Sequence, residues 1–116
     1  MVADDDPGSR HLIREILEPL RCEVSEAVNG SDALLKVAEL HPDMLFLDLQ
    51  LPQLDGFGVV ARLRQMLMFA ALPVVAVTAL VTTEDQKKCL RCGFSAFVSK
   101  PINIPALRQI VAKWLG

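Results

Sequence analysis

Two short runs, Met44 to Leu47 and Val74 to Val77, contain no polar side chain at all. A strand with no polar face has to be covered on both sides, the condition of a central strand in a parallel sheet. Parallel strands need long crossovers, and in compact domains those are helices. The two runs therefore commit the chain to an α/β sheet with helices on both faces. Each is closed by a polar residue, Asp48 and Thr78. Open sheets place their chemistry at such carboxyl ends.

The rest of the chain fits the same alternation. Met1-Val2-Ala3 forms the end of a short first strand. Pro7 and Ser9 open a helix in which Leu12, Ile13, Ile16, Leu17 and Leu20 recur at helical spacing, and Pro19 kinks or ends it. Cys22 to Ala27 reads as a second strand, half exposed at an edge because Glu23, Ser25 and Glu26 interrupt it. After the Asn29-Gly30 turn, Ser31 can cap a helix to about Leu40 whose apolar face is Ala33, Leu34, Val37, Ala38 and Leu40. Pro42 blocks its continuation. A third helix follows Asp55-Gly56 and runs to about Met68. Thr83 and Gln86 have capping-box spacing for a fourth helix ending near Cys92, with Gly93 as its C′ residue. Ala96 to Val98 is the fifth strand. A last helix from near Asn103, tolerating Pro105 in its first turn, packs Leu107, Ile110, Val111, Trp114 and Leu115. Five strands and five helices use the whole chain, so residues 1–116 read as one domain.

Bulk properties exclude several classes. A net charge of -2 gives no reason to invoke direct nucleic-acid or anionic-membrane binding. The longest apolar stretch, Met66 to Val81, is broken by Pro73 and Thr78 and is too short to span a bilayer. With no cationic leader at the N-terminus, a cytoplasmic location is expected. Three cysteines, Cys22, Cys89 and Cys92, do not make a disulfide framework. The Cys89-Leu-Arg-Cys92 spacing lacks a second ligand pair, so small buried thiols are the expected reading.

The polar landmarks carry the chemistry. Asp4, Asp5 and Asp6 repel one another, and a fold sets them side by side only where exposure or a cation relieves the field. With Asp48 they supply hard oxygen ligands suited to magnesium. A phosphoryl group arriving on Asp48 brings negative charge, which Lys100 can offset as a point charge. Thr78 offers a hydroxyl at the end of its own strand. Asp48 is then the nucleophile, and a cation bridges carboxylate and phosphoryl oxygens.

At these residues the chain resembles the receiver domain of two-component response regulators. The matching pieces are Asp4-Asp5-Asp6-Pro7 with Arg10, Asn29-Gly30, Pro42-Asp43, Asp48 to Pro52, Asp55-Gly56, Thr78-Ala79 and Lys100-Pro101. Thr78 follows Asp48 by 30 residues and Lys100 follows Thr78 by 22, and the ordered set is far more specific than any element of it. The resemblance implies a doubly wound (βα)5 sandwich, three layers with a five-stranded parallel sheet in the flavodoxin-like order 2-1-3-4-5. It implies phosphoryl transfer to Asp48 from a histidine kinase or a histidine phosphotransfer protein. It implies Mg2+ held by Asp4 (mainly through water), Asp5, Asp48 and the backbone carbonyl of Gln50, with Thr78 and Lys100 completing the site. The switching aromatic of the family falls on Phe97, which has no phenolic hydroxyl and reports through packing only; a static core phenylalanine is the alternative. The fourth helix, fifth strand and fifth helix form the family's common dimer and output face, where Lys87, Lys88 and Arg91 fall.

Some features depart from the pattern. The first strand is short, and an edge strand this brief would hold Asp4 and Asp5 weakly. Pro19-Leu20-Arg21 stands where a glycine is common. Gln50 and Leu80 occupy two variable positions that influence hydrolysis; Gln50 can orient a water and Leu80 cannot, so moderate to slow loss of the phosphoryl group is expected. Met66 to Leu72 is more apolar than a helix end and loop require, as for core packing or a partner surface. Three other readings compete. A phosphoaspartyl phosphatase needs a second acid at position 50, where glutamine stands. A flavodoxin-like binder would find Asp4 to Asp6 where its phosphate loop belongs. A receiver kept only as an unphosphorylated interaction module would not need the complete polar set. No dinucleotide or Walker glycine pattern is present, and no turnover of an external substrate is expected.

Overall fold

The computed structural model describes residues 1–79 and 82–115. In chain order the elements are β1 (Val2–Ala3), α1 (Pro7–Leu17), β2 (Glu26–Ala27), α2 (Gly30–Leu40), β3 (Leu45–Asp48), α3 (Gly56–Gln65), β4 (Val74–Thr78), α4 (Thr83–Cys92), β5 (Ala96–Ser99) and α5 (Ile104–Leu115). All strand pairs are parallel, in the order β2-β1-β3-β4-β5. The expected α/β fold and strand order are both present.

Alternation along the central strands divides the interior in two. Leu45 and Leu47 of β3, with Val74 and Ala76 of β4, face α2, α3 and α4, meeting Val37, Val59 and Leu63. Phe46, Val75 and Val77 face the opposite way, onto Ile13, Ile16 and Leu17 of α1 and Leu107 and Val111 of α5. Both strands are buried along their whole length, which is why neither has a polar face. Each such buried Leu, Ile, Val or Phe contributes roughly 1.5–3 kcal/mol relative to exposure.

Several boundaries differ from the sequence reading. β1 is not an edge strand: it pairs on both sides, and Val2 is fully buried. β2 is two residues long because the ladder extends only as far as its two-residue partner. Pro19 does end α1, which passes into a 3-10 turn over Glu18–Leu20, so Leu20 leaves the packed face and is exposed. Asn29, not Ser31, caps α2, its side chain accepting from Asp32 N at 2.8 Å. Ala38 and Leu40 are exposed. α3 stops at Gln65; Met66 turns extended and a second 3-10 turn, Leu67–Phe69, carries Phe69 into the core. The apolar Met66 to Leu72 stretch thus splits, with Phe69 and Leu72 buried while Leu67 is 95% exposed.

Thr82 rather than Thr83 caps α4, accepting from Asp85 N and donating to Asp85 Oδ2. Gly93 ends the helix in the left-handed region, φ 109°, as expected of a C-terminal glycine. At α5 only Leu107 and Val111 are buried, while Trp114 and Leu115 lie half open on the lip of a groove at the amino ends of the strands. Cys89 is buried, and Cys22 and Cys92 are half-buried free thiols.

Gly30 locks α2 to the loop after β3. A Cβ there would lie 1.9 Å from the Leu54 carbonyl oxygen, a backbone atom that cannot step aside. Gly30→Ala is expected to destabilise the protein at or above the upper end of ~1–3 kcal/mol, read as a lower midpoint in urea unfolding. A change of less than about 0.5 kcal/mol, the scatter of a neutral surface substitution, would show that the loop yields easily.

Candidate functional site

Register brings the landmarks together. Ala3 pairs with Leu47, Asp48 with Val77 and Thr78 with Ser99. Asp4, Asp48, Thr78 and Lys100 therefore leave the sheet at one edge, their strands parallel and level. Asp4 and Asp48 are buried, Thr78 is fully buried, and Asp5 is exposed. Lys100 follows β5 and its main chain is tied back to β4, its N–H donating to the Thr78 carbonyl at 2.8 Å. Its ammonium reaches Asp4 Oδ2 at 3.0 Å and Asp48 Oδ2 at 3.3 Å. The remaining carboxylate oxygens accept from the main chain: Asp6 N donates to Asp4 Oδ1 at 2.9 Å, and Gln50 N to Asp48 Oδ1 at 3.0 Å.

The three adjacent acids do different work. Asp4 and Asp5 contribute, with Asp48, carboxylate oxygens that all lie within 4.8 Å of one another. Asp6 turns away and caps α1, accepting from Gly8 N and Ser9 Oγ, which hold its carboxyl below the ordinary range. The sequence signal was present in Asp6-Pro7, an N-cap residue followed by proline in the first turn. Asp55 likewise caps α3 through Gly58 N. Gly56 presses against the chain after β3, where an added Cβ would meet the Asp48 carbonyl oxygen at 2.7 Å.

Phe97, opposite Ala76 in β4, is half-buried and packs against the α2-α3-α4 core. Gln50 is exposed, and Leu80 lies outside the described residues. Lys87, Lys88 and Arg91 are exposed on α4, and Lys88 Nζ sits 4.4 Å from the Phe57 ring centre. Sequence reasoning missed a second charged cluster behind Asp4. Arg10 donates to the Asp4 carbonyl at 2.8 Å and to Glu26 Oε1 at 2.9 Å, and Arg14 grips Glu26 Oε2 at 2.6 Å. The signal for it was the Arg10/Arg14 spacing, one helical turn along a single face of α1.

Electrostatically the site is short of positive charge. Burial pushes the Asp4 carboxyl up, and the hydrogen bonds from Asp6 N and Lys100 do not fully offset it. Burial pulls the Lys100 ammonium down, but its bonds to Asp4 and the field of Asp48 outweigh that, so it stays charged and its pKa rises. Since the folded state raises the Asp4 pKa, ionised Asp4 costs stability above that raised pKa. The cost fades as pH falls through it and is gone below the ordinary carboxylate range, where both states are protonated. Asp4→Asn is accordingly expected to raise the melting midpoint of metal-free protein at neutral pH, with the gain vanishing in acid. An unchanged or lower midpoint at neutral pH would show that the Lys100 contact outweighs the burial of charge.

Comparison with known proteins agrees with this architecture. The family model described as the response regulator receiver domain matches residues 1–112. The hybrid signal transduction histidine kinase L of Dictyostelium discoideum is 35% identical over 120 residues, covering 98% of this chain but 7% of that protein. The polar-differentiation response regulator DivK of Brucella abortus is 31% identical over 116 residues, covering 100% of this chain and 94% of that one. Among solved structures, the receiver domain of the sensor histidine kinase PA1611 of Pseudomonas aeruginosa superposes with a TM-score of 0.89 at 26% identity. It covers 99% of this chain and 94% of its own, and was solved with a magnesium ion coordinated in its active-site cleft. The chain belongs to the response regulator receiver domain family, the receiver module of two-component signalling.

Proposed function

We propose that Asp48 is the phosphoacceptor of this domain, and that residues 1–116 act as one receiver unit. The observation that carries the reading is the Lys100 ammonium shared by Asp4 and Asp48 at the carboxyl edge of the sheet. A carboxylate oxygen of Asp48 attacks phosphorus, the phosphorus–nitrogen bond of a phosphohistidine breaks, and the imidazole leaves as its nitrogen takes up a proton. Lys100 offsets the charge that accumulates on the phosphoryl oxygens, and the Thr78 hydroxyl is the donor that moves onto them afterwards. The donor set fits a hard divalent cation, because three carboxylates lie close enough to share one ion and two of them sit beside a single lysine. Asp5 and Asp48 would hold magnesium directly together with the Gln50 carbonyl, and Asp4 through water. Bound there, the ion supplies electrostatic neutralisation of carboxylate and phosphoryl oxygens.

The chemistry is confined to the protein's own aspartate, with no external substrate turned over. The donor is a histidine kinase or a histidine phosphotransfer protein. Packing of Phe97 between β4 and the α4 side carries the change outward, and the α4-β5-α5 face, where Leu90 is 59% exposed among cationic residues, is the dimer or output surface. Neither nucleic acid nor membrane is a direct partner. Among the described residues, no helix is long and apolar enough to cross a membrane. Free thiols suit a cytoplasmic setting.

Incubation with acetyl phosphate or phosphoramidate is expected to add one phosphoryl group, seen by intact mass, only when magnesium is present. Asp48→Asn is expected to take none, and an equal label on that variant would overturn the assignment. Lys100→Met, which keeps the stem and removes the charge, should slow labelling by about a hundredfold, the usual cost of losing one donor to developing oxyanion charge. A folded, magnesium-binding protein that is never labelled would instead favour an unphosphorylated interaction module.

A further inference from the structure

We infer that Glu26, on the edge strand β2, is a positioning residue for the acidic pocket, acting through Arg10 on the peptide that joins Asp4 to Asp5. The inference rests on the magnesium site proposed above. Arg10 Nη1 donates to the Asp4 carbonyl at 2.8 Å while its Nε donates to Glu26 Oε1 at 2.9 Å, so one planar guanidinium spans the two. Peptide planarity means that fixing the Asp4 carbonyl also fixes the Asp5 N–H and the plane holding the two Cα atoms from which both carboxylate side chains spring. That matters here because β1 ends at Ala3, and the Asp4 main chain has few other ties: its N–H donates to the Ala27 carbonyl at 3.1 Å.

Glu26 is itself held from two further sides. Arg14 contacts Oε2 through Nε at 3.0 Å and Nη2 at 2.6 Å, and Lys36 Nζ donates to the Glu26 carbonyl at 2.6 Å. The carboxylate therefore cannot follow Arg10; Arg10 must come to it. This has a second effect. A guanidinium so near Asp4 and Asp5 would otherwise turn to their carboxylates and compete with a cation for them. By occupying Nε, Glu26 keeps Arg10 on the carbonyl and leaves the carboxylates to the pocket. The competing account is that the cluster merely pins a two-residue edge strand to α1, in which case Glu26 supports stability and has no bearing on the pocket.

Magnesium affinity measured by calorimetry separates the two, using Glu26→Gln, Arg10→Ala and the double variant at a temperature where circular dichroism shows each folded. Exchange of the Asp6 amide, which donates to Asp4 Oδ1 at 2.9 Å, gives in metal-free protein a readout independent of the ion. The expected result is a loss of about tenfold in affinity for either single variant, the low end for residues that orient metal ligands. The double variant should be no weaker than Arg10→Ala alone, because Glu26 acts through that arginine. Asp6 amide exchange should accelerate in both singles, because a displaced Asp4 no longer holds that bond. Parent-like affinity in Glu26→Gln, or losses that add in the double variant, overturns the inference while leaving the receiver reading intact. A parent that binds no magnesium overturns the magnesium site and this inference together.

Discussion

The carboxyl edge of the sheet depends on one ammonium group divided between two buried carboxylates. Lys100 reaches both Asp4 and Asp48, residues 96 and 52 positions away in the chain. Burying two acids with one base leaves the pocket short of positive charge, a costly arrangement unless other groups contribute. Main-chain N–H groups of Asp6 and Gln50 contribute in part, each taking up an oxygen that Lys100 does not reach. The raised Asp4 carboxyl shows that they do not balance the account fully. A fold selected only for stability would not keep such a pocket. Functional sites commonly carry this kind of unfavourable term, offset by packing elsewhere.

That packing is the parallel sheet. Its register sets the strand ends level, and the two cores clamp it from either side with nearly complete burial of β3 and β4. The loop that follows β3 is held by close backbone contacts. Gly30 and Gly56 let backbone meet backbone at distances no other residue would allow, so the segment following Asp48 lies directly on α2 and α3. On the far side Arg64 performs a comparable task, donating to the Phe69 and Gly93 carbonyls at 2.9 Å each and tying α3 to the end of α4.

Most of this was legible where a single local rule decides the outcome. β3 and β4 could be read because burial on both faces removes polar residues from both. The strand-end landmarks could be read because their order and spacing survive without knowledge of distance. Elements decided by neighbours were not legible. β2 has the length its partner allows, and Leu20, Leu40 and Trp114 sit at helical spacing yet find nothing to cover them. Capping failed by one residue at α4, since Thr82 and Thr83 are equally competent and only Asp85 decides between them. The Asp4 to Asp6 triplet reads as one acidic cluster, whereas the turn into α1 sends its third member to a helix terminus. The Arg10/Arg14 spacing could be read on α1, but not their partner Glu26, which lies on a separate element.

The position of Trp114 has a practical side. It is the chain's one tryptophan, there is no tyrosine, and it stands on the groove at the amino ends of the strands, across the whole depth of the sheet from Asp48. Native near-ultraviolet emission therefore reports on the last turn of α5, where Lys113 Nζ lies 5.5 Å from the indole centre. Events in the acidic pocket alter that light only if they are relayed through the sheet. A changed signal on adding the ion would show that β3 and β4 relay the event, whereas a constant one says nothing of whether the pocket is filled.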